Sequence, residues 1–183
     1  MENNHDEAVD GLRRPNRRGE AGPRSAGGKK EDQVTLISDE DRNFLVDYFS
    51  KELVDPVKLV YFTQHQSPLA VPSTVCTYCK ETGELLDEVA GLSEKITVEV
   101  HDLLKDAEWA KEYGVEKIPA VILTGKNRGK VRFLGIPSGY EFSSLIEGIK
   151  DVSKGTTDLS EATKKELAKI TAETHIQVFV TPT

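Results

Sequence analysis

Two cysteines, one methionine and one tryptophan are all that the 183 residues contain of those types, and each shortage excludes something. Two cysteines cannot build the disulfide framework of a small secreted domain. Nor can they alone supply the four ligands of a tetrahedral zinc site. The histidines, His5, His65, His101 and His175, show no H-x-x-x-H spacing that would complete one. No apolar stretch approaches the length of a membrane span, and the first residues lack the apolar core of a signal peptide. A cytoplasmic protein with no membrane partner is therefore expected. No G-x-G-x-x-G or phosphate loop occurs, so no cofactor site is legible.

Residues 1–33 lack aromatic residues altogether, and Val9 and Leu12 are their only branched aliphatics. Such a segment cannot bury enough apolar surface to offset chain entropy, and a disordered tail is expected. Its seven lysines and arginines balance seven acids, so the formal charge of −7 falls on the rest of the chain. That argues against nucleic acid as the partner of the folded part. The pairs Arg13-Arg14 and Arg17-Arg18 suit an anionic surface or simple solvation.

What is present is a pair of cysteines at redox spacing, Cys76-Thr77-Tyr78-Cys79. Upstream, Val57 to Phe62 reads as a strand; downstream, Leu85, Leu86, Val89 and Leu92 read as one face of a helix from about Thr77. A C-x-x-C at such a junction is the signature of a dithiol site. The first thiol would lie at a helix N-terminus, where the dipole and free amides favour thiolate. Half of a metal site and inert structural cysteines are the competing readings.

In chain order, Ser38-Asp39-Glu40-Asp41 reads as a helix start, with Phe44, Leu45, Tyr48, Phe49 and Leu53 on one face. Asp55-Pro56 ends that helix. The strand 57–63 has the composition of a central strand buried on both faces. The two prolines between Thr63 and Cys76 predict a loop, either part of a substrate surface or a tolerated insertion. Alternation of Ile96, Val98 and Val100 predicts an edge strand ending at His101, a residue suited to proton transfer or to a structural role. A helix over 106–113 capped by Gly114 precedes Ile118-Pro119 and a strand to Leu123. Lys130 to Leu134 predicts a hairpin partner, and residues 140–151 a helix with Phe142, Leu145, Ile146 and Ile149 inward. The order α-β-α-β-α-β-β-α predicts a mixed α/β sheet with helices on both faces.

These residues resemble the thioredoxin fold, in which C-x-x-C follows the first core strand and a cis-proline faces it. Pro119 lies 40 residues after Cys79, as that pattern requires. The resemblance is closer to the two-unit protein disulfide oxidoreductases, glutaredoxin-like proteins typical of thermophiles. It is carried by Ile37 to Asp41, Asp55 to Leu59, Phe133 to Phe142 and Asp151-Val152-Ser153, and it covers about Val34 to the end. It implies a mixed four-stranded sheet flanked by helices over 34–153. It also implies that Cys76 attacks a substrate disulfide, that Cys79 resolves the intermediate, and that Tyr78, Ile118 and Pro119 line the substrate site. Many thioredoxins carry a buried acid on the strand before the motif; Leu59 to Phe62 has none, so proton transfer falls to water or a less obvious group. Lys80 would help the thiolate or simply be solvated.

Residues 154–183 repeat the opening of the first unit, a helix over 159–171 and a strand over 175–183, with Ile176 119 residues after Val57. They read as a linker helix and the first strand of an incomplete second unit, in which C-x-x-C would follow Thr181-Pro182-Thr183. A single-unit protein, a disrupted gene and a selenocysteine codon read as a stop are the three explanations. The implied function is thiol–disulfide exchange with protein substrates, a thioredoxin-reductase-like flavoprotein supplying electrons. The alternatives are a non-catalytic docking unit and a redox relay to a peroxidase.

Overall fold

A computed structural model describes residues 35–64 and 75–180. The expected tail, most of the loop before Cys76, and Thr181-Pro182-Thr183 lie outside the described residues. Helix α1 (Asp39–Glu52) begins as its sequence dictates. The Ser38 hydroxyl accepts from the Asp41 amide at 3.1 Å, and three acids occupy the positive end of the helix. Leu53 is already extended, and Asp55-Pro56 leads into strand β1 (Val57–Thr63).

Helix α2 (Cys79–Ala90), strand β2 (Ile96–Asp102), helix α3 (Ala107–Tyr113), strands β3 (Ala120–Thr124) and β4 (Val131–Leu134), and helix α4 (Tyr140–Lys154) follow. The sheet order is β2-β1-β3-β4. β1 runs parallel to β2 and antiparallel to β3, and β3 antiparallel to β4. The predicted central and edge strands take those places. The fold is thioredoxin-like, a mixed sheet with helices on both faces.

Period-two alternation splits β1 between two cores. Val57, Leu59 and Tyr61 face the larger, with Leu45, Phe49, Leu86, Val89, Leu145 and Ile149 from α1, α2 and α4. Val60 and Phe62 face the smaller, under α3, with Ala110, Val115, Ala120 and Ile122. Phe44, expected on the core face of α1, is exposed and stacks on Tyr48 at 5.9 Å. It sits one position off the stripe that Leu45 and Phe49 define.

Polar groups tie the helices down where apolar packing thins. The buried Ser153 hydroxyl accepts from the Val54 and Asp55 amides and donates to the Asp55 carbonyl. Glu88 on α2 accepts from the Leu36 and Ile37 amides and from Arg42. The buried Lys150 ammonium donates to Glu147 and, at 2.7 Å, to Asp158, fastening the segment after α4. A fifth helix, α5 (Glu161–Leu167), is shorter than expected. The strand expected beyond it does not form: residues up to 180 have no regular structure, with Ile176, Val178 and Phe179 exposed. A strand needs a partner edge for its amides and carbonyls, and among the described residues none pairs with this segment. No helix among the described residues is long and apolar enough to cross a membrane.

Candidate active site

Cys76 and Cys79 are joined in a disulfide with their Cα atoms 5.5 Å apart. Their environments differ. Cys79 is 4% exposed, as the first residue of α2, whereas Cys76 is partly exposed. The helix starts two residues later than its periodicity predicts: Thr77 and Tyr78 form a turn, and Tyr78 is the N-cap. Apolar periodicity marks the face of a helix and leaves its first residue open by one or two positions. Cys76 therefore precedes the helix instead of opening it. The Tyr78 carbonyl accepts both the amide and the hydroxyl of the buried Thr82. The Tyr78 ring is 54% exposed beside the bridge.

Two further groups hold this turn, and both come from the C-terminal end of β1. The Tyr61 phenol donates to the Cys79 carbonyl at 2.5 Å. The Gln64 side-chain oxygen accepts from the Cys76 amide at 3.1 Å. Burial pushes the Tyr61 phenol above its ordinary pKa, and the negative charges of Glu81 and Asp87 add to that. Glu81, in the first turn of α2, buries its Oε2 without a hydrogen-bond partner among the described residues. Sequence reasoning missed Tyr61, Gln64 and Glu81. The available signal was the tyrosine itself, since a buried phenol on a core strand requires a partner for its hydroxyl.

The Ile118–Pro119 bond is cis. Ala120 pairs with Phe62, so Ile118-Pro119 leave the sheet at the end of β1 from which the chain runs to Gln64 and Cys76. The Gly135 amide bonds the Pro119 carbonyl at 2.8 Å, tying this segment to the end of β4. Gly135 does so with φ at 103°, a conformation that suits glycine. Pro119 is buried; Ile118 is half-buried and packs on the smaller core.

The other candidate groups take structural places. His101 lies between the Phe62 and Trp109 rings, at 5.2 and 5.0 Å, with Nε2 2.8 Å from Glu99. Lys80 is exposed and pairs with Glu84 at 3.5 Å, one helical turn on. The solvated reading of that lysine fits this placement.

Comparison with known proteins agrees with this geometry. The sequence pattern of the Thioredoxin domain matches residues 69–147. A probable thioredoxin of Methanothermobacter thermautotrophicus is 40% identical over 80 residues, which cover 43% of this chain and 86% of the relative. The fold is similar to a protein disulfide oxidoreductase from Aeropyrum pernix, at TM-score 0.59 and 26% identity over 72% of this chain. It is also similar to the alkylhydroperoxide reductase AhpF of Enterococcus faecalis, at TM-score 0.58 and 29% identity over 73% of this chain. The chain spans 54% and 60% of those two structures.

Proposed function

The chain belongs to the thioredoxin family of oxidoreductases, and on that premise we propose that Cys76 and Cys79 exchange disulfides with protein substrates. The observation that carries the reading is the unequal exposure of the bridged pair. Cys76 thiolate attacks one sulfur of a substrate disulfide; a mixed disulfide forms and the other substrate sulfur leaves as thiolate. Cys79, once deprotonated, attacks the Cys76 sulfur. The Cys76–Cys79 bond closes, the second substrate thiolate leaves, and two electrons have passed to the substrate. The positive end of α2 favours the attacking thiolate. Tyr78 and the backbone at Ile118 and Pro119 form the surface that the substrate meets. A thioredoxin-reductase-like flavoprotein resets the dithiol.

A relay to a peroxidase is the second reading, and the likeness to the alkylhydroperoxide reductase AhpF favours it. It uses the same residues and differs in partner. A non-catalytic docking unit of a two-unit protein is the rival class. Turnover of a small disulfide protein by the reduced chain tests the proposal. Activity that Cys76→Ser abolishes supports it; activity that survives that substitution, or none in the parent protein, overturns it.

A further inference from the structure

The redox turn carries hydrogen bonds at both ends, and both partners stand on one short piece of chain at the end of β1. Gln64 holds the Cys76 amide and Tyr61 holds the Cys79 carbonyl. Neither partner is a neighbour of the turn in sequence: Tyr61 is 18 residues from Cys79 and Gln64 is 12 from Cys76. Tyr61 sits in the larger core at 3% exposure, and its ring packs 3.5 Å from where a side chain on Gly83 would begin. β1 itself is central, bonded to β2 on one side and β3 on the other. The Tyr61 hydrogen bond therefore reaches the turn from a central strand, and the Gln64 one from the residue that directly follows it.

The geometry assigns to Tyr61 and Gln64 the role of positioning residues that favour the disulfide over the dithiol. The inference rests on the reading of Cys76 and Cys79 as a redox pair. Closing the bond requires the two sulfurs to stay within reach while both are free, which is a matter of effective concentration. On reduction the sulfurs move from bonded to van der Waals separation, and the turn widens or rotates. Widening pulls the Cys79 carbonyl away from the core-held Tyr61 phenol and the Cys76 amide away from Gln64. The clamp thus disfavours the relaxed dithiol and lowers the reduction potential.

The test is the redox midpoint of the oxidised and reduced full chain in thiol/disulfide buffers, free thiols being trapped by alkylation. Tyr61→Phe removes one oxygen and keeps the ring, and Gln64→Leu removes the acceptor at similar length. Each is expected to weaken disulfide closure about three- to tenfold, the worth of one neutral hydrogen bond. That moves the midpoint about 14 to 30 mV less negative. The double variant is expected to shift by less than the sum, because a turn freed at one end gains little from the other bond. A purely structural role would lower the melting temperature of both redox forms equally and leave the midpoint in place, and that result overturns the clamp. A parent chain with no reversible two-electron transition overturns the redox reading itself.

Discussion

Cys79 is bonded to Cys76 yet almost wholly covered, while Cys76 keeps part of its surface open. After reduction, an alkylating reagent is expected to modify Cys76 roughly tenfold faster than Cys79, since access limits the reaction of a thiol. Cys79→Ser is expected to hold a substrate as a stable mixed disulfide through Cys76, and Cys76→Ser to hold none. Mass spectrometry of trapped species checks both; trapping through Cys79 would reverse the assignment.

Ser153 fastens α4 to the start of β1 with one hydroxyl that meets three backbone groups. Ser153→Ala strands two amides and a carbonyl in a part-buried site, and the cost is expected to be about 2–3 kcal/mol. Denaturant unfolding of the two proteins, compared at equal m-value, measures it. A loss below about 0.5 kcal/mol would mean that water replaces the hydroxyl.

Burial, followed by the hydrogen bond to Glu147, raises the Tyr48 phenol to about 12. Burial raises Tyr61 as well. A phenol that keeps its proton longer when folded contributes stability fully below about pH 10, the unfolded value. That contribution is lost as pH rises through the folded value. Stability is therefore expected to fall between pH 10 and 12, and Tyr48→Phe to flatten the decline. Urea midpoints against pH test the sign.

Close to Tyr61, Glu81 buries a carboxylate oxygen that meets no hydrogen-bond partner among the described residues. Glu81→Met is expected to raise stability by about 1 kcal/mol, since it removes an uncompensated polar group. It is also expected to lower the ionisation pKa of Tyr61, read from tyrosinate absorbance. A fall in stability would show that solvent or a second conformer satisfies that oxygen.

The main lines of the fold were legible because they depend on local chemistry. Ser38 and the acids after it announce α1, alternation announces the strands, and Gly114 with φ at 66° ends α3 where a left-handed cap was expected. Phe44 misled because helical periodicity assigns a face only to within about one residue position. The start of α2 misled because the spacing of Leu85, Leu86, Val89 and Leu92 fixes the helix's buried face and not its first residue. The segment beyond α5 misled because strand propensity says nothing about whether a free edge lies within reach.

By itself, the sequence determined the spacing of Cys76 and Cys79 and their place between a strand and a helix. Those are properties of neighbouring residues and of order along the chain. Only the tertiary structure decided which cysteine is covered, that the Ile118–Pro119 bond is cis, and which groups hold the redox turn. Tyr61 and Gln64 reach the cysteines across 18 and 12 residues. Such contacts arise from the register of β1 against α2, which no local pattern encodes.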